Sequence, residues 1–253
     1  MSDLGTQPSA DVAAGLSQWQ RVTNTFTAPS KTFEDIKRGP KSWWMPFLIM
    51  VILGYAFFAV VNSKIGMQTV TENQIRLDPK AEERMAQLTP EQRETQMKFS
   101  VYFTEGVFIG NPAVLLIIVA VGSLVLWGTV NFVFGGKASF GAVFAAWMFA
   151  SLPSLIKTLL GIIVIYAGTA PESFNIRNFA PTNLGAFLNP AEANKVLYSL
   201  ATSLDIITLW CCVLMAIGIS IVAGIKRSSG YIAVFGWWAI IILGGVIFAA
   251  VTS

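Results

Sequence analysis

The chain has 253 residues, of which only 12% are charged while 54% are apolar, and its mean hydropathy is +0.62. A water-soluble fold of this size has no interior large enough for that much apolar surface, which excludes a soluble globular domain. The net charge of +3 is too small to point to nucleic acid as a partner, and the absence of histidine removes Ser-His-Asp and Cys-His catalysis together with histidine metal sites.

Residues 1–15 are polar and read as a disordered tail. Over 16–41, Leu16, Trp19, Val22 and Phe26 recur at a helical period, and Phe33 and Ile36 continue it after a break at Pro29. With Arg21, Lys31, Lys37, Arg38 and Lys41 alongside, the segment reads as an amphipathic interfacial helix on the inner leaflet. In the second reading Trp19, Arg21, Phe26, Phe33, Lys37 and Arg38 form a docking surface for a cytoplasmic protein. The first 41 residues hold no short apolar run with a small-residue cleavage site, so no removable signal peptide is expected.

A crossing of the hydrocarbon core takes about 20 predominantly apolar residues. Five stretches qualify, at about 42–63, 108–135, 140–166, 200–225 and 231–251, so the expected fold is an all-α, polytopic integral membrane protein whose membrane domain covers 42–251. Between the first two spans, the loop 64–106 carries two helix starts, Asp78-Pro79 and Thr89-Pro90-Glu91-Gln92. They predict two short external helices, the second running almost directly into span two with an interruption near Gly110-Asn111-Pro112. After span three, APESFNIRNFAPTNLGAFLNPAE predicts ordered turns dipping into the outer interface around Phe174, Phe179 and Phe187. The segments on the N-terminal side of the membrane hold eight basic side chains in 32 residues, against eight in 74 on the other side. By that density the N-terminus is expected in the cytoplasm and the C-terminus outside, in a bacterial inner membrane.

The ionisable side chains on or beside the spans are Lys157 and Asp205. Each costs roughly 2.5–3.5 kcal/mol at a helix centre on insertion scales, so they are expected to pair. Small side chains form a stripe on span three through Ala142, Ala146, Ala150 and Ser154, ending one turn past the kink at Pro153 on Lys157. A second stripe on span four runs through Asp205, Thr208, Cys212, Ala216 and Ser220. Such stripes let membrane helices approach closely, which predicts spans three and four packed antiparallel with the pair closing the outer end. The carbonyls freed by Pro153 are expected to stabilise the ammonium. The pair is read first as an ion pair that fixes helix register and second as part of a proton or ion pathway. Cys211 and Cys212 are adjacent within an apolar run and suggest neither a disulfide framework nor a zinc site.

The order RVTNTFTAPSKTFEDIKRGPKSWWMPFLI, five spans, SLPSLIKTLL in the third and LDIITLWCCVLMAIGIS in the fourth resembles the bacterial branch of the Yip family. The positions that carry the resemblance are Phe26, Pro29, Phe33, Ile36, Pro40, Pro46, Pro153, Asp205, Trp210 and Gly218. It implies a five-span helical fold and, for eukaryotic relatives that interact with Rab-type GTPases, a role in membrane traffic through protein partners. It implies no catalytic residues, and the Rab partner does not carry over to a bacterium. The leading expectation is a non-enzymatic membrane scaffold or adaptor with no cofactor and no metal. Its expected partners are the lipid bilayer and a membrane or cytoplasmic protein, or a second copy in a homo-oligomer. The alternative is a small transporter, channel or lipid-translocating protein using the polar seam between spans three and four. A membrane enzyme ranks third, because no paired carboxylates, nucleophile elbow or phosphate loop is present.

Overall fold

The structure, a computed structural model, describes residues 15–190 and 192–251. The expected tail therefore lies outside the described residues, apart from Gly15. Among them are twelve α-helices, and five helices or helix pairs are long and apolar enough to cross a membrane. The spans are α3 (Trp44–Lys64), α7 (Asn111–Gly128) with a terminal π turn Thr129–Val133, α8 (Phe140–Ala150) followed by α9 (Ser154–Tyr166), α11 (Ile206–Ala223) and α12 (Arg227–Val251). Span four is thus shorter than the stretch read from sequence. Residues 195–203 form a separate helix, α10 (Lys195–Ser203), set off by Leu204 and Asp205.

Two ends of the bundle can be told apart by their charges. Lys37, Lys41, Lys137, Lys226 and Arg227 mark the basic end, and the long connections 65–110 and 167–205 cover the loop end. At the loop end, three helices follow span one rather than the expected two. They are α4 (Met67–Arg76), α5 (Pro79–Ala86) and α6 (Pro90–Ile109). No proline or capping box announces α4. Its order comes from tertiary contacts: Met67 and Val70 are buried with Phe57, Val61, Ile165 and Phe174, and Asn73 donates to the carbonyls of Pro171 and Phe174. Thr89 and Gln92 close the capping box that starts α6. That helix reaches Gly110 before Pro112 interrupts the ladder, and the Tyr55 hydroxyl donates to the Ile109 carbonyl at the break. Phe108 stacks on Phe58 of span one, so the last turns of α6 lie level with the spans.

The N-terminal segment is helical but is not one helix on a surface. Ser17 caps α1 (Gln18–Thr27) with a capping box; Ala28 breaks it, and Pro29 opens α2 (Pro29–Arg38). The two fold back on each other and line span four. Lys37 lies beside Gly224, the Phe33 ring covers Gly218, and Phe26 meets the edge of Trp210 with ring centroids 5.8 Å apart. From Gly224 to Trp210 is about 20 Å at 1.5 Å per residue. Phe33 and Ile36 share one core with Val143 and Phe149 of α8 and with Met215 and Ile219 of α11. A segment expected on the leaflet is therefore a hairpin seated against the bundle.

Candidate functional site

Asp205 ends the irregular connection after α10 and is the N-cap of span four. Its Oδ1 accepts from the backbone N–H groups of Ile207 and Thr208, both at 2.9 Å, satisfying two of the unpaired donors at the helix start. Its Oδ2 accepts from the Thr182 hydroxyl at 2.6 Å and from Lys157 Nζ at 2.9 Å. The backbone joins in, since Ile206 N donates to the Thr182 carbonyl at 3.0 Å. The carboxylate is 3% exposed and the ammonium 26%. Lys157 reaches it from α9, one turn after the Ser151-Leu152-Pro153 break, and its Nζ lies 5.9 Å from the centre of the Phe179 ring.

Three separate parts of the chain therefore meet at one carboxylate: span three, the start of span four and the connection between them. Phe179 extends the same junction by packing on Gly161 and against Phe57, with ring centroids 4.6 Å apart. The carbonyls near Pro153 are not the partners of the ammonium. Ile156 N takes the Pro153 carbonyl, and Lys157 turns instead to Asp205 and the aromatic face.

The small-residue stripe of span four differs from expectation. A Cβ added at Gly230 would collide with Ser220 Oγ and lie 2.6 Å from the Ala216 carbonyl, so the Ser220 side chain and the Ala216 carbonyl lie against span five. Thr208 and Cys212 line an apolar recess of about 690 Å³ between spans two, four and five, where Trp147 covers Gly122. On span three, Ala142, Ala146 and Ala150 are buried, and Ser154 is partly buried beyond the break. The stripes do not form one continuous polar seam. Thr129 and Asn131 on span two also have structural partners: Thr129 accepts from Trp237 Nε1, and Asn131 bonds both backbone groups of Ala138.

A second buried pair holds the N-terminal hairpin. Arg21 is 1% exposed, its Nε donates to Asp35 Oδ2 at 2.6 Å, and its Nη1 donates to the Pro40 carbonyl at 3.0 Å. Asp35 Oδ1 accepts from Leu16 N at 3.0 Å. The hydroxyls of Thr25 and Thr32 both donate to the Arg21 carbonyl. On α1 the polar side is thus turned inward, while Trp19 remains 63% exposed. Among the described residues, no three of Cys, Asp and Glu gather where a metal ion could be held.

The description of the Yip1 domain matches residues 23–249, from within α1 to the last turns of α12. The chain belongs to the Yip1 domain family. Among curated proteins, this Yip1-domain chain is similar to membrane protein YknW of Bacillus subtilis (strain 168), 27% identical over 221 residues, covering 87% of this chain and 83% of that one. No solved structure matches it.

The docking residues expected at the N-terminus of the Yip1-domain chain separate into three groups. Arg21 and Phe33 are buried and hold the hairpin, so neither faces lipid headgroups nor a partner. Trp19 and Phe26 are exposed on α1, and Lys37 and Arg38 are exposed at the end of α2. Sequence reasoning missed Asp35 and Thr182. A signal existed for the first: Arg21 and Asp35 stand seven residues before and after Ala28, the spacing an antiparallel hairpin turning at Ala28 brings together. Thr182 lies in a turn-rich stretch 23 residues before its partner, with no periodicity to mark it.

Proposed function

We propose that this Yip1-domain protein is a non-enzymatic scaffold or adaptor in its membrane, acting through contacts with other proteins. The observation that carries the reading is the bonding of Asp205. Its oxygens accept four hydrogen bonds, two of them from the backbone of span four. A carboxylate that relays protons or ions must exchange partners, whereas this one ties three chain segments together. Toward the basic end, Ser220 and Ala216 are closed against Gly230, which opposes a continuous water route.

The surface left for partners is the arm at the loop end. No residue of Pro79–Ala86 or Pro90–Ile109 is buried, and signs alternate along it through Glu82, Glu83, Arg84, Glu91, Arg93 and Glu94. With the basic end in the cytoplasm of a bacterial inner membrane, as the density of Lys and Arg favours, the arm stands outside. The partner is then a protein of the same membrane, or a second copy, with an external portion.

The test is cross-linking and recovery of partners from native membranes, with the full chain and with residues 79–97 replaced by a Gly-Ser linker of equal length. The scaffold reading expects a stable partner that the replacement releases. A parallel assay measures solute and lipid flux in vesicles carrying the purified protein. Flux abolished by Asp205→Asn, with partner recovery indifferent to the arm, overturns the reading in favour of a transporter.

A further inference from the structure

At the basic end, the last turns of α2, the end of α11 and the start of α12 surround an open recess of about 560 Å³. Its rim carries Lys37, Arg38 and Arg227 against one carboxylate, Glu34. Glu34 is 4.0 Å from Arg38, which leaves Lys37 and Arg227 as the charges it does not offset. Arg227 lines the recess and donates one hydrogen bond, from Nη2 to Ser30 Oγ at 3.1 Å. The side formed by span four is different in kind. It is made by Ile221, Ile225 and Gly224 with Ser220 beside them, where the left-handed backbone of Gly224 (φ 69°) ends span four and its lack of a side chain leaves room for the Lys37 ammonium.

We infer that this recess binds the headgroup of an anionic phospholipid, with the phosphate between Lys37 and Arg227 and the glycerol end on Ile221 and Ile225. Three features of the recess combine here. The recess lies where span four ends and span five begins, which is where a bilayer's phosphates are expected beside a span. Its rim is cationic, and arginine in particular offers paired donors that match phosphate oxygens. Its span-four side is mainly aliphatic, which suits an amphiphile and is wasted on a free phosphate ion. The inference does not depend on the scaffold reading, since it concerns the opposite end of the bundle from the arm.

The experiment uses the full chain in detergent and in lipid nanodiscs. Native mass spectrometry counts lipids retained when the protein is offered equal amounts of phosphatidylglycerol and phosphatidylcholine, with and without excess inorganic phosphate. One phosphatidylglycerol is expected to be retained in preference to phosphatidylcholine and to resist displacement by inorganic phosphate. Lys37→Gln and Arg227→Gln are each expected to weaken retention roughly five-fold, the effect of one cation near an anionic surface. Lys137→Gln, on the same end but outside the recess, is expected to leave retention unchanged, and Arg227→Lys is expected to recover part of the loss. Thermal stability in phosphatidylcholine alone reports whether each variant is folded, and Lys37→Gln, being exposed, keeps the test open should Arg227→Gln unfold. Retention that falls equally with Lys137→Gln means general surface charge and overturns the proposal, as does displacement by inorganic phosphate or the absence of any preference for phosphatidylglycerol.

Discussion

Asp205 has one oxygen for the helix and one for its neighbours, and the two functions can be separated by substitution. Asn can still accept from the N–H groups of Ile207 and Thr208, so Asp205→Asn isolates the charge from the cap. It is expected to cost on the order of 1–3 kcal/mol, because Lys157 is left partly buried without its counter-charge. Lys157→Leu is expected to cost a similar amount, and the double variant less than the sum, which thermal unfolding in detergent would read as a cycle. Simple addition of the two losses would mean that the side chains are not coupled. Arg21 is the more deeply held cation, 1% exposed against 26% for Lys157, and it also bonds the Pro40 carbonyl. Arg21→Met is therefore expected to cost more than Lys157→Leu, about 3–5 kcal/mol in the same measurement. Lys157 and Asp205 are visible in the sequence because charges stand out in apolar runs. Thr182 is not, since it is an ordinary polar residue in a polar stretch and acquires its role only through the fold, and Asp35 shows only once its spacing from Arg21 about Ala28 is read as a hairpin.

At the scale of elements, the N-terminal hairpin and span four define each other. Phe33 lies on Gly218, where a Cβ would stand 2.8 Å from the ring, so the close approach needs glycine. Gly218→Ala is expected to destabilise by about 1–3 kcal/mol, the usual cost of overpacking, and Phe33→Leu in the same chain to restore part of the loss. If the hairpin lay on a membrane surface instead, the two substitutions would be independent in the same thermal assay. The existence of the spans was legible because the bilayer imposes length and apolarity on each of them. The helix Met67–Arg76 was not, because its buried face of Met67, Val70, Thr71 and Asn73 is half polar and the carbonyls that Asn73 bonds are about a hundred residues away. The hairpin's place was hidden for a related reason. Periodicity predicts an apolar face inward, yet on α1 the inward residues are Arg21 and Thr25.

At the scale of the whole molecule, the density of Lys and Arg predicts which way it faces. Cysteines at Ser9 and at Thr89, placed one at a time in a chain lacking Cys211 and Cys212, are expected to react with an impermeant thiol reagent from opposite sides of the membrane. Labelling of Ser9→Cys from outside intact cells would invert the orientation and bring the arm into the cytoplasm. The molecule also divides unevenly in what it tolerates. Replacement of residues 79–97 removes no buried residue and is expected to leave the unfolding temperature within a few degrees. Deletion of residues 1–38 removes Phe33 and Ile36 from the main core and is expected to lower it far more, with reduced accumulation in the membrane.

The hairpin's seat is also made late. Phe33 leaves the ribosome long before Gly218 and Trp210, so α1 and α2 lack their seat on span four until that span is made. Until then their exposed basic and aromatic side chains, Trp19, Lys31, Lys37 and Arg38, suit a wait on the membrane surface. The amphipathic pattern read from the sequence thus fits the interval in which the hairpin's partner on span four has yet to be made.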